Sequence, residues 1–220
     1  MKTGKRVKNM TTQFSLILGL DNIVLNNYWR KYYSYLKIGW DDASIRHYLS
    51  KKEYMMQIAS FNTRTVSFSA SSRRNRFYEI YNRQDMLEQD VAWENSTIES
   101  LKKISKKYKI HIVSSRSTEL KNKTLEVMKK LGFSMEDLTI FFKTPNESLS
   151  IYKRNTLNSI KEKYVGGVGV CLNLSDRYLY ERIGYTPIAF SSINEYNSFN
   201  GKIAIVCQDW ANLLHSLQCT

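Results

Sequence analysis

The side chains best placed to do chemistry stand at the ends of short apolar runs. Phe14–Leu20 is one such run, and it closes in an acidic turn at Asp21, a carboxylate able to bind a cation or orient a ligand. His111-Ile-Val-Ser-Ser-Arg116 is a second, ending in Ser114, Ser115 and Arg116. Hydroxyls and a guanidinium at a strand end, beside the start of a helix, make an oxyanion pocket, because backbone N–H groups and positive charge converge there. A purely structural role is compatible with this: Ser115 or Ser117 also suits the cap of the following helix. The third run, Val168–Leu172, leads to Asn173 and then to Asp176, which also suits a helix cap, and Lys153 opens the helix that precedes it. Other chemistries find little support. The three histidines (His47, His111, His215) lack metal-ligand spacing. The three cysteines (Cys171, Cys207, Cys219) are odd in number and widely spaced, which argues against a disulfide framework and for buried thiols in the first two.

These side chains need elements to hold them, and from Ser96 onward the pattern alternates helix and strand. Ser96-Thr-Ile-Glu99 offers a capping box for a helix to about Lys107. A strand over Lys109–Ser114 follows, then a helix over Thr118–Leu131 stopped by Gly132, and a strand over Leu138–Phe142. Ile151–Tyr164 reads as a helix, Val165–Leu172 as a strand, and Asp176–Ile183 as a helix closed by Gly184. Short strands at Pro187–Phe190 and Lys202–Val206 and a helix over Asp209–Leu217 complete the chain. Uninterrupted apolar strands alternating with helices predict an α/β fold, a Rossmann-like, mainly parallel sheet with helices on both faces. Ligand sites in such sheets lie beyond the carboxyl ends of the strands, which places Asp21, Ser114 and Asn173 on a common rim. Before Ser96 lies a long insertion. Helices are expected over Tyr28–Leu36, Asp42–Ser50, Glu53–Ala59 and Arg73–Glu88, with a loop or hairpin strand over Thr63–Ser72.

The stretch Phe14–Asn27 resembles the first motif of the haloacid dehalogenase (HAD) superfamily, an apolar strand followed by Asp-x-Asp-Gly-Thr-Leu/Val. Laid on that motif, Gly19 takes the nucleophile position and Asp21 the acid/base position, with Asn22 and Ile23 for the usual Gly-Thr. A slipped register would make Asp21 the nucleophile and leave Ile23 where the acid belongs. The second motif, a strand ending in a phosphate-binding Ser or Thr, is matched at Ser114, with Ser115 and Arg116 beyond it. Lys153 matches the phosphate-neutralising lysine best, with Lys161 as fallback. Asn173 and Leu174 fall where the acidic pair of the fourth motif belongs, and Asp176 is displaced by two or three residues. The resemblance covers roughly 15–26 and 96–217. It implies a HAD-like core at 10–27 and 90–220, a mostly helical cap inserted at 28–89, and a basic tail at 1–9. Two of the four motifs lack their carboxylates. The implied Mg²⁺ is therefore expected to be absent or weakly bound, with Asp21, Asn173 and Asp176 as its only candidate ligands.

Charge and aromatic content set the insertion apart. The net charge is +13, and the segments 1–9 and 28–84 together hold 11 of those excess charges. The second segment also carries 13 of the 28 aromatic residues, interleaved with cations. A localised basic field attracts polyanions, and aromatic platforms among cations suit single-stranded nucleic acid. Arg30, Lys31, Tyr32, Arg73, Arg74 and Arg76 are the candidate contacts. Trp29, Tyr33, Leu36 and Trp40 share one helical face and are expected to form the cap's core, leaving Tyr28, Tyr32 and Tyr35 for the surface. No apolar segment approaches the roughly 20 residues that span a bilayer. The short apolar run after the basic start carries Asp21, so it does not read as a signal peptide. The expected setting is cytoplasmic, without membrane contact.

Together these features point to a catalytically degenerate HAD-like protein that binds a phosphate-bearing ligand, nucleic acid foremost, through a basic cap and tail. Ser114, Ser115, Arg116 and Lys153 would form its phosphate pocket. Two alternatives stand beside it: an active Mg²⁺-dependent phosphohydrolase using Asp21, and a scaffold for an acidic protein partner.

Overall fold

The structure, a computed structural model, describes residues 13–50, 68–190 and 205–219. Its centre is β1 (Phe14–Gly19), whose Leu16, Ile17 and Leu18 are fully buried. A strand buried on both faces must be apolar without alternation, and this one is. Around it assemble β4 (Tyr108–Ser117), β5 (Leu138–Lys143), β6 (Gly167–Cys171), β7 (Thr186–Phe190) and β8 (Val206–Cys207). The order across the sheet is β5-β4-β1-β6-β7-β8, and every neighbouring pair is parallel.

Alternate side chains feed two cores. Leu16 and Leu18 join Ile110, Ile112, Val170 and Ile188 on one face, under α4 (Thr97–Ile104), α5 (Lys121–Lys130) and α8 (Trp210–Cys219). Ile17 joins Val113, Cys171 and Ala189 on the other, under α6 (Leu149–Lys161) and α7 (Leu174–Ile183). Gly169 permits that second layer: a Cβ there would lie 2.5 Å from the Tyr180 ring of α7.

The insertion contributes α1 (Tyr28–Lys37), α2 (Asp42–Ser50) and α3 (Phe68–Tyr81). Its neck is a two-stranded antiparallel ladder of β2 (Leu25–Asn26) and β3 (Val91–Ala92). Inside, Tyr32, Tyr35, Ile45 and Phe77 form a separate apolar cluster, with Tyr35 stacked on Phe77 at 4.4 Å. This reverses the expected faces of α1. Tyr32 and Tyr35 are buried, whereas Trp29, Tyr33 and Leu36 are exposed. The cause is electrostatic. Arg30 lies on α1 and must reach Asp21 and Asp90 in the core-facing direction, which fixes the rotation of the helix and carries Ser34 and Tyr35 inward with it.

Other boundaries also differ. Phe68–Ser72, expected as loop or strand, belongs to α3; the rest of that stretch and Glu53–Ala59 lie outside the described residues. The helix expected to reach Glu88 ends at Tyr81, and a 3-10 turn occupies Gln84–Gln89. The helix expected from Thr118 starts with a 3-10 turn and becomes α-helical at Lys121. The capping box at Ser96 is not made; Thr97 Oγ1 instead accepts from the Glu94 N–H at 2.9 Å.

Candidate functional site

The strand ends meet in a cavity of about 650 Å³ between sheet and insertion. Gly19, Asp21, Ser115, Arg116 and Asn173 reach it from the core rim, Arg30, Lys31, Tyr78 and Tyr81 from the insertion, and Lys153 from α6. Beyond Gly19, opposite Val113, the chain turns sharply: the N–H groups of Val24 and Leu25 return to the Leu20 carbonyl. Asn22 has φ +66°, a left-handed conformation that asparagine tolerates better than most side chains. This is the position where the resembling motif has glycine. The buried Trp210 anchors the turn, its Nε1 donating to the Ile23 carbonyl at 2.8 Å.

The turn presents Asp21 to two guanidiniums. Arg30 Nη2 lies 3.0 Å and Arg116 Nη2 2.5 Å from Asp21 Oδ1, while Arg116 Nε donates to Oδ2 at 3.2 Å. Asp90 closes the ring, with Oδ1 3.1 Å from Arg30 Nε and Oδ2 2.6 Å from Arg116 Nη2. Thr124 accepts from Arg116 Nη1, and Tyr81 accepts from both Arg30 and Asn27. Burial alone would raise the Asp21 carboxyl, but the Arg116 and Arg30 charges override it and hold the group far below the usual carboxylate range. Burial pulls on Arg116 in the opposite sense, and Asp21 with Asp90 pushes it above the ordinary arginine value. At Asp90 burial wins instead and raises the carboxyl in spite of the same two guanidiniums. Two acids and two guanidiniums thus form a nearly closed quartet.

Several candidate residues are placed differently from expectation. Arg116 is not available as a phosphate clamp, because its side chain is committed to Asp21, Asp90 and Thr124. Ser114 is buried and its Oγ accepts from the Arg116 N–H at 3.1 Å; Ser115 is the serine at the cavity wall. Ser117, not Ser115, caps the next turn, accepting from the Glu119 N–H. Asn173 caps α7 by accepting from the Asp176 N–H at 2.9 Å, so the cap is Asn173 rather than Asp176. Asp176 instead pairs with Lys153 at 2.5 Å. Arg30, Lys31 and Tyr32 are buried, which corrects their assignment to an open nucleic-acid face. Arg73, Arg74 and Arg76 are exposed on α3.

Lys31 stands out within the cavity wall. Desolvation lowers its ammonium to a pKa of about 8, against the upward pull of Asp21. Asp90, Tyr81 and Asn27 were not foreseen. Asp90 directly precedes the apolar return at Val91, and an acid at that exit was the one available signal.

The donors present do not fit the Mg²⁺ that the HAD resemblance implies. Mg²⁺ prefers anionic oxygen ligands in octahedral array. Gly19 has no side chain, Asn173 is spent on its helix, Asp176 is held by Lys153, and both Asp21 and Asp90 are neutralised by guanidiniums. Among the described residues, no three His, Cys, Asp or Glu side chains group to hold a metal.

No protein-family model matches the sequence, and none of the curated proteins does. Solved structures do. A haloacid dehalogenase-like hydrolase from Streptococcus pneumoniae superposes with a TM-score of 0.67 at 14% identity, over 95% of this chain and 100% of that one. The fold is haloacid dehalogenase-like. A HAD-superfamily hydrolase from Geobacter sulfurreducens gives a TM-score of 0.58 at 12% identity, over 96% of this chain and 100% of that one. A HAD family hydrolase from Deinococcus radiodurans, solved with bound phosphate and sodium, gives 0.56 at 14% identity over 94% and 96%. A HAD-like fold accounts for the six-stranded parallel sheet with helices on both sides, and among the described residues no helix is long and apolar enough to cross a membrane.

Proposed function

We propose that this HAD-like protein binds a phosphate-bearing small ligand in the cavity between sheet and insertion and does not turn it over. One observation carries the reading: the carboxylate at the end of β1, Asp21, is saturated by Arg30 and Arg116, and the position two residues before it is a glycine. A nucleophile needs a free lone pair and a general acid needs a proton to give, and a carboxylate held ionised between two guanidiniums offers neither. Binding capacity remains. Lys31 and Lys153 reach the cavity against one further acid, Asp176, so an anion is favoured, and Tyr78, Trp93, Phe190 and Leu149 supply walls for an organic body. The phosphate bound by the Deinococcus protein is in keeping with this chemistry.

Calorimetry with nucleoside monophosphates and sugar phosphates, run beside a phosphate-release assay in MgCl₂, tests the reading. Binding without release above buffer is expected, and a ligand at 100 times its Kd should stabilise the fold by about 2.7 kcal/mol. Phosphate release that disappears in Asp21→Asn would establish a hydrolase instead. A second reading, nucleic-acid binding, is favoured by the exposure of Arg73, Arg74 and Arg76 along one helix.

A further inference from the structure

Asp21 and Asp90 approach the same atom. Arg116 Nη2 lies 2.5 Å from Asp21 Oδ1 and 2.6 Å from Asp90 Oδ2, and Arg30 bridges the same two carboxylates from the insertion, at 3.0 and 3.1 Å. Two acids converging on one positive centre is the arrangement that a divalent cation ordinarily imposes, since like charges at that separation repel strongly unless a counter-charge lies between them. We propose that Arg30 and Arg116 are a built-in dication that stands in the place of the metal, so that the strand-end site is organised by the protein's own charges and takes up no Mg²⁺.

Three features support this. The two guanidiniums match the two carboxylates charge for charge, and their side chains are 1% and 3% exposed, so the compensation is internal to the protein. The remaining acid of the rim, Asp176, is held by Lys153, and Asn173 is engaged with α7, which leaves only neutral oxygens such as the Asn22 and Asn27 amides rather than anionic ligands. The chain origins differ as well: Asp21 lies in the turn after β1, Arg116 in β4, Arg30 in α1 and Asp90 just before β3. A fixed dication therefore also fastens the insertion to the core, a connection that no exchange of ions with solvent can undo. A buried charge whose partner is removed is strongly destabilising, so the clasp is hard to open one residue at a time.

The inference concerns the same cavity wall as the proposed binding role, but its test contains no ligand, so either can fail alone. The native protein is titrated with MgCl₂ by calorimetry and by thermal unfolding, and Arg116→Met and Arg116→Lys are treated identically. The native protein and Arg116→Lys are expected to show no binding heat and an unchanged midpoint across millimolar Mg²⁺. Arg116→Met leaves Arg30 alone between the two carboxylates, one positive charge short, and its lowered midpoint is expected to climb by several degrees as Mg²⁺ is added, because a ligand of the folded state alone stabilises it. Saturable Mg²⁺ binding by the native protein overturns the proposal, and so does an Arg116→Met protein that Mg²⁺ leaves unchanged. Should Arg116→Met be recovered only unfolded, the native titration decides by itself.

Discussion

At the scale of single residues, the protein places several charges where burial costs most. Lys31 shows the effect plainly, since desolvation lowers its pKa from 10.5 to about 8. In the window between those values the unfolded chain keeps a proton that the folded chain has lost, so native stability rises with pH across it. Below that window both states are protonated and the burial penalty is fully present. Lys31→Met should therefore be more stable than the native protein at pH 7, by on the order of 2–3 kcal/mol, and should lose the rise above pH 8. Denaturant unfolding at pH 7 and at alkaline pH checks this. The same substitution should weaken binding of the phosphate-bearing ligand, and native affinity should decline as pH rises through about 8 and the ammonium is lost. A variant that gains stability without losing affinity would remove Lys31 from the binding site.

At the scale of elements, the strands were legible and the insertion only partly. Leu16–Leu18, Val168–Cys171 and, apart from His111, Ile110–Val113 are apolar without alternation because both of their faces are covered, and that pattern belongs to a central parallel strand. Strand polarity put Asp21, Ser114 and Asn173 at the rim; Asp21 and Asn173 line the cavity, and Ser115 does so in place of the buried Ser114. What escaped was the rotation of α1. Its aromatic residues lie all round the helix, and the spacing of Trp29, Tyr33 and Leu36 pointed to one face, whereas the choice falls to Arg30, whose partners Asp21 and Asp90 lie outside the helix. The site shows the same limit of local pattern. Ser114, Arg116 and Asn173 stand where motif spacing put them, yet their side chains are turned to structural work by Asp90 and by the α7 terminus, which no local pattern announces. The corrected face of α1 is open to test. Tyr35→Ala removes a ring packed on Phe77 and Trp40 and should cost about 3 kcal/mol or more, whereas Trp29→Ser, on the exposed face with ring contacts to Tyr28, Tyr32 and Tyr33, should cost clearly less. Equal costs in urea unfolding would contradict the assigned rotation.

At the scale of the whole molecule, the quartet at the strand ends matches two guanidiniums with two acids, so it does not account for the excess of positive charge. Arg73, Arg74 and Arg76 are exposed on α3 and are the candidate contacts for a polyanion. Reversing all three to Glu should weaken oligonucleotide binding and flatten its salt dependence by about 0.7–0.9 log units per log salt for each phosphate no longer neutralised. Fluorescence anisotropy over a salt series measures both, and an unchanged slope would assign the charge to solubility. The neck of the insertion carries a consequence of another kind. Asn26 and Val91 are ladder partners, so the long segment between them leaves and rejoins the core at a single point. Lengthening, shortening or rewriting that segment need not change the order or register of any strand in the six-stranded sheet. Closing a longer loop adds little entropy cost, because that cost grows only with the logarithm of length. The segment is thus a cassette in evolutionary terms, able to diverge faster than the sheet that carries it, provided that an arginine equivalent to Arg30 still reaches back to the strand ends.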